Sequence, residues 1–325
     1  MARIDVLLPV YNVASYVAEA IASIQAQTIT DIEIVIVNDC STDGTLEIVE
    51  DIARTDPRIR VISTPRNLGL TGALNFGLDF CDALFIARMD GDDIALPTRL
   101  EKQLRFLQEN PGIALVGCST IAIDRFGRPF PGLGICRKPS SDEEVAKTML
   151  LSSPCSHIWL ARSEIYSCLS GYREMKCAED FDFLLRAVAA GFRISNLAEP
   201  LMLIRTRPGN LSSGIQQRKA HYHIVRLYRE RLKLGRDSFS PESYVKAIRA
   251  SKAEEAAFRV AKRCLQEGSH SDIRVKRWFL WALAVLVSPL QARYVVDRIR
   301  FRIAMRQHKR AVEPPHLAGH VSDPL

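Results

Sequence analysis

Residues 32–45 read IEIVIVNDCSTDGT. Glu33 aside, the stretch from Ile32 to Val37 is unbroken Ile and Val. A run this short and this rich in β-branched residues reads as a strand of a parallel sheet, covered on both faces. It ends abruptly in Asp, Ser, Thr and Gly, the residues of a loop. Helical spacing resumes over 45–54. The unit is therefore strand, polar loop, helix.

The same unit recurs on both sides of it. Residues 4–10 (IDVLLPV) are a buried strand. Residues 15–27 follow with Val17, Ala20, Ile21 and Ile24 on one helical face, Ser15 as N-cap and Glu19 in the first turns. Residues 59–63 give a third strand, 70–79 a third helix and 83–89 a fourth strand. This alternation predicts a doubly wound α/β sheet. Ligands of such sheets bind beyond the carboxyl ends of the strands. The polar loops fall there: Tyr11-Asn12, Asp39, Arg66-Asn67 and Asp90-Gly91-Asp92. A GxGxxG fingerprint is absent from the first turn, which argues against a dinucleotide-binding oxidoreductase.

The loop after the fourth strand lies in FIARMDGDDIALPTRLEKQ (85–103). Asp90 and Asp92, one residue apart, can aim oxygens at a common point, and hard oxygen ligands suit Mg²⁺ or Mn²⁺. Mg²⁺ is commonly shared between carboxylates and substrate phosphates, so a nucleotide diphosphate is the natural ligand. The plain alternative is a solvated acidic loop capping the helix that Pro97 opens.

Seven blocks together resemble family 2 of the glycosyltransferases: LLPVYN (7–12), IVIVNDCSTDGT (34–45), TPRNLGLTGALNFGL (64–78), FIARMDGDDIALPTRLEKQ (85–103), SHIWLARS (156–163), GYREMKCAEDFDFLLRAVAAG (171–191) and PLMLIRTRPGNLS (200–212). The resemblance implies a GT-A fold, a Rossmann-like mixed sheet, and inverting transfer of a sugar from a nucleotide-diphosphate sugar. It implies that Pro9, Tyr11 and Asn12 wall the nucleotide pocket and that Asp39 accepts a hydrogen bond from the base. Arg66, Asn67 and Gly69 then lie along the donor, Asp90 contacts the ribose or the metal's water shell, and Asp92 ligates Mn²⁺ or Mg²⁺. Asp93 follows the pair without a firm role. In Glu179-Asp180, at the start of a helix whose apolar face is Phe181, Leu184, Leu185 and Val188, the resemblance makes Asp180 the general base. Glu179 then contacts donor or acceptor hydroxyls, and His157 lines the acceptor pocket. Relatives often carry His where this chain has Arg207. Arg cannot ligate a cation but can pair with a diphosphate.

The chain has 325 residues and a net charge of +7. Residues 215–325 hold 23 Lys and Arg against 10 Asp and Glu, whereas residues 1–214 hold 21 against 27. We therefore expect a catalytic domain over 1–214 (nucleotide half about 1–100, acceptor half about 101–214), a basic helical extension over 215–310 and a disordered tail over 311–325. One helix is expected over 215–235. A second starts at Ser240-Pro241, with Ser as N-cap and Pro first, and runs to about Glu267. The apolar stretch 278–290 is too short to span a bilayer and is flanked by Lys and Arg, so it reads as lying on anionic lipid or as packed on the catalytic domain. No motif points to nucleic acid. Eight scattered cysteines with no CxxC pair read as reduced, packed thiols, and MARIDVLLPV does not read as a signal peptide. The expected placement is cytoplasmic, peripheral on the inner membrane face, with a glycan or lipid-linked glycan as acceptor in cell-surface polysaccharide synthesis. Two rival readings are a non-catalytic sugar-nucleotide-binding or scaffold protein and a nucleotidyltransferase. Retention of Asp92 and Asp180 argues against the first. The lack of a glycine-rich first loop argues against the second.

Overall fold

The computed structural model describes residues 3–130, 134–206, 214–269 and 273–312. The chain divides into two compact units, 1–142 with 154–250 and 143–153 with 251–325. In the first unit, β1 (Ile4–Val10), β2 (Ile32–Asn38), β3 (Ile59–Ser63) and β4 (Phe85–Arg88) pair in parallel, in the order β3-β2-β1-β4. The helices between them are α1 (Val17–Gln25), α2 (Thr45–Ala53) and α3 (Gly69–Leu78). The doubly wound start stands as expected, with one local correction: α1 opens after Tyr16 and has no side-chain cap, so Ser15 does not cap it. Strand order reverses at β1, which places the loops after β1 and β4 side by side at the switch point of the sheet.

Beyond β4 the sheet turns mixed. β5 (Ile94–Ala95) and α4 (Arg99–Glu109) lead into the long β6 (Ile113–Ile123) and the short β7 (Ile135–Cys136). After α5 (Asp142–Thr148), β8 (Leu160–Arg162) inserts antiparallel between β4 and β6. Then come α6 (Glu164–Leu169), α7 (Glu179–Ala189) and β9 (Arg193–Arg205), which runs parallel to β6 and accepts β5 on its other side. The core is Ile, Val and Leu from β1, β2 and β6, with Phe85 and Ala87 of β4, packed on α1 and α4.

One close approach in this half positions the site. A Cβ on Gly117 of β6 would lie 2.1 Å from Cys155 Sγ and 2.3 Å from Asn196 Oδ1. Both neighbours are buried, and Asn196 Nδ2 donates to the carbonyls of Pro139 (2.7 Å) and Pro154 (2.9 Å). Gly117 thus lets β9 hold the segment that carries His157. Gly117→Ala is expected to cost about 1–3 kcal/mol by overpacking. A lowered urea midpoint with an unchanged slope checks this. An unshifted midpoint would show that the segment gives way freely.

The helical region begins with α8 (Ile215–Leu234) and α9 (Pro241–Ile248) in the first unit. Ser240 caps α9 reciprocally with Ser243, and Pro241 is its first residue, as expected. The helix expected to continue to about Glu267 breaks at Arg249. A new helix, α10 (Lys252–Ser269), starts behind Ser251, whose Oγ accepts Glu254 N while Glu254 Oε2 accepts Ser251 N. That is a capping box, which satisfies two amides and so fixes a new start. In the second unit α11 (Arg274–Val287) and α12 (Pro289–Val312) follow. Leu280, Leu283 and Ala284 of α11 pack on Ala261, Cys264 and Leu265 of α10. No helix among the described residues is long and apolar enough to cross a membrane. The tail expected to be disordered over 311–325 lies outside the described residues from 313 onward, and 311–312 close α12.

Candidate active site

The loops at the carboxyl ends of β1 to β3 are tied to one another. Asn12, at a positive φ of 52°, receives Thr42 N on its Oδ1 at 2.8 Å, and its own amide donates to Ser41 Oγ at 3.2 Å. Asp43 accepts from Ala14 N, Thr45 N and the Thr45 hydroxyl, and Thr45 Oγ1 in turn accepts Val13 N. Asp39 is 2% exposed and already well used. Its Oδ1 accepts Leu68 N (2.7 Å) and the Thr64 hydroxyl (2.9 Å), and its Oδ2 accepts Gly69 N (2.8 Å). Three donors on a carboxylate that offers about four lone-pair sites leave room for one more. Asp39 therefore also starts α3, a task the sequence did not announce. Asn67 Nδ2 donates to the Asp39 carbonyl at 3.0 Å. Pro9 is buried in β1, while Tyr11, Arg66 and Asn67 lie exposed on the loops and Gly69, also exposed, opens α3.

The Asp90 loop sits against the end of β1. A Cβ on Gly91 would stand 2.9 Å from Val10 Cγ1 and 3.2 Å from Val13 Cγ2, which explains a glycine between the aspartates. Asp90 and Asp93, not Asp90 and Asp92, converge with His157: their ligand atoms all lie within 4.8 Å of one another. His157 Nε2 stands 3.1 Å from Asp93 Oδ2 and 3.4 Å from Asp90 Oδ2. Burial is the largest influence on His157 and pulls its pKa down, but Asp90 and then Asp93 outweigh it, to about 9. Burial pushes Asp93 up to about 6 against the pull of His157. Asp92 stays half-exposed on the loop. Two carboxylates of this loop and an imidazole from the segment before β8 fit a divalent cation of the Mn²⁺ or Mg²⁺ kind.

Behind this loop stands Arg205, the last residue of β9. Its amide donates to Asp93 Oδ1 (2.8 Å), its Nε to the Asp92 carbonyl (2.8 Å) and its Nη2 to Glu19. The sequence reading named Arg207 instead, and that residue lies outside the described ones.

Arg88 joins the two halves of the site. It ends β4, is 1% exposed, and donates from Nη2 to Glu179 Oε1 at 2.8 Å and from Nε toward Asp90 Oδ1 at 3.4 Å. Its guanidinium packs over Trp159 (5.5 Å) and Tyr172 (5.7 Å). Burial pushes the Glu179 carboxyl up, and Arg88 pulls it back. Asp180, the next residue, is half-exposed, and its carboxylate makes no hydrogen bond or ion pair among the described residues. Both acids sit in the first turn of α7, behind Ala178 in the left-handed region at φ 61°. Tyr244 of α9 holds that turn: its hydroxyl donates to the Cys177 carbonyl at 2.6 Å and accepts Cys177 N at 3.3 Å. Arg88, Arg205 and Tyr244 were missed from sequence. The first two carried a signal, because each is a lone cation at the end of an apolar run, and a buried cation demands anions or carbonyls.

A parallel half-sheet with carboxylates at its carboxyl edge, continued by a mixed half that supplies an acidic helix start, is the GT-A architecture of glycosyltransferases. The family model "Glycosyl transferase family 2" matches residues 5–170. The chain is 36% identical over 208 residues to the "Putative glycosyltransferase EpsE" of Bacillus subtilis (strain 168), covering 62% of this chain and 73% of that one. It is 30% identical over 234 residues to the "UDP-Gal:alpha-D-GlcNAc-diphosphoundecaprenol beta-1,3-galactosyltransferase" of Escherichia coli, covering 69% and 84%. Among solved structures, the mannosyltransferase PcManGT from Pyrobaculum calidifontis, in complex with GDP-Man and Mn²⁺, superposes with a TM-score of 0.56 at 16% identity, covering 96% and 88%. The chain belongs to glycosyl transferase family 2.

Proposed function

We propose that this chain is an inverting, metal-assisted glycosyltransferase that moves a sugar from a nucleotide-diphosphate sugar to a hydroxyl of a lipid-linked glycan in cell-surface polysaccharide synthesis. The observation that carries the reading is the contrast between two adjacent acids: Glu179 is buried and pinned by Arg88, while the Asp180 carboxylate is half-exposed and unpaired among the described residues. A general base must be free to accept a proton, and a pinned carboxylate is not. Asp180 takes the proton of the acceptor hydroxyl as that oxygen attacks the anomeric carbon. The bond from that carbon to the diphosphate breaks on the opposite face, and the nucleoside diphosphate leaves. The loops bearing Tyr11, Asn12, Asp39, Arg66, Asn67 and Gly69 hold the nucleotide. Asp90, Asp93 and His157 would hold the cation, with Asp92 half-exposed beside them. A bound Mn²⁺ or Mg²⁺ supplies neutralisation of the diphosphate's developing charge. Arg207 remains the proposed further contact to the diphosphate. The galactosyltransferase relative, whose name carries a diphosphoundecaprenol acceptor, supports the lipid-linked reading and a peripheral place at the inner membrane face.

The test is a thermal-shift panel of UDP, GDP and dTDP, each with Mn²⁺ and with EDTA. One diphosphate at about 100 times its Kd is expected to add about 2.7 kcal/mol in Mn²⁺ and much less in EDTA. A shift indifferent to EDTA would overturn the metal's part. The absence of any shift would overturn the donor reading.

A further inference from the structure

In α11 the stripe that packs on α10 is not the only apolar one. Val275, Trp278, Phe279, Ala282, Val285 and Leu286 recur at helical spacing on another face, and all are exposed. Trp278 is 66% exposed, Phe279 65% and Leu286 81%. α12 repeats the pattern with exposed Val296, Ile299 and Ile303. The charges around these stripes have one sign. Arg274, Lys276, Arg298, Arg300 and Arg302 are exposed, α11 contains no acid, and the single acid of α12, Asp297, is buried.

We infer that these outer faces of α11 and α12 form a docking surface for an anionic lipid bilayer. The inference deepens the lipid-linked-acceptor reading by naming the surface and its partner. Two observations select the bilayer over other occupants. No helix among the described residues is long and apolar enough to cross a bilayer, so the contact inferred runs along its surface. A second copy would bring Arg against Arg, with no exposed carboxylate on either helix to answer them. A nucleic acid would match the arginines but leave Val275, Leu286, Val296, Ile299 and Ile303 in water. A bilayer takes both parts: aromatic and aliphatic side chains enter the headgroup boundary, and the cations meet lipid phosphates.

The full chain is sedimented with vesicles of phosphatidylcholine alone and of phosphatidylcholine with phosphatidylglycerol. It is expected to bind the anionic vesicles, to bind neutral ones at least about tenfold less, and to lose the preference at high salt. The double variant W278S/F279S is expected to weaken binding about tenfold or more with only a small change in Tm, because both side chains are mostly exposed and Trp278 has an edge contact with Trp281. R298E/R300E is expected to lose the anionic preference to a similar degree. Binding by both double variants equal to the parent would overturn the assignment. So would a parent that ignores both vesicles, dimerises through Trp278 and Phe279, or prefers an RNA homopolymer to vesicles. The nucleotide-dependent thermal shift is measured on the same variants. Retained shift with lost vesicle binding supports the surface, and vesicle binding without any nucleotide shift keeps the surface while removing the enzyme reading.

Discussion

Asp180→Asn binds the nucleotide with the parent's affinity and loses transfer by about 10²–10⁴-fold, the range that a general base supplies. The loss is in kcat, because the carboxylate acts on the acceptor proton and not on the donor. Tm does not fall, since this carboxylate makes no hydrogen bond or ion pair among the described residues that amidation could break. The neighbouring Glu179→Gln gives the opposite pattern. It removes the anion from the buried Arg88, and breaking a buried pair by removing one partner costs about 3–5 kcal/mol. Two adjacent acids, conservatively amidated, thus separate a chemical role from a structural one. Nucleoside diphosphate release under saturating acceptor, alongside thermal melts, checks both. An Asp180→Asn protein that turns over at the parent's rate removes this residue as base.

The half of the fold that was legible is the half built from local signals. β1 and β2 stand at the residues where apolar runs put them, because strands buried on both faces need no alternation to be recognised, and β3 stands at its expected residues although it is only partly buried. β8 lies within the SHIWLARS block, and nothing local says that it enters antiparallel between β4 and β6, since that pairing is set by residues far apart in sequence. The break before α10 was legible and overlooked: Ser251 and Glu254 spell a capping box three residues apart. The site divides similarly. Asp90 and the Glu179-Asp180 pair were named from motifs, whereas His157 was named through the resemblance for the acceptor pocket and stands instead beside Asp90 and Asp93. Which aspartate of the loop turns inward could not be, because the amide that fixes Asp93 belongs to Arg205, 112 residues on.

Arg88→Met is expected to inactivate the enzyme and to destabilise it by about 3–5 kcal/mol, the range also expected of Glu179→Gln at the other end of the pair. Met keeps much of the volume between Trp159 and Tyr172 but leaves Glu179 without its cation. Burial already pushes the Glu179 carboxyl up, so without Arg88 the rise is larger. The sign with pH follows. A carboxyl whose folded pKa stands above its unfolded value stabilises the fold when protonated, and that contribution is lost as pH rises between the two values. The deficit of the variant is therefore smaller at about pH 5 than at about pH 8. Adding Glu179→Leu removes the stranded acid, and an apolar replacement of a buried pair is often near neutral in stability. The double variant regains most of the melting temperature and none of the activity, because Arg88 also lies 3.4 Å from Asp90 and links the cation-holding loop to the helix that carries Asp180. Recovery of transfer together with stability would mean that Arg88 only balances a buried charge; recovery of stability alone assigns it to holding the two halves of the site in register.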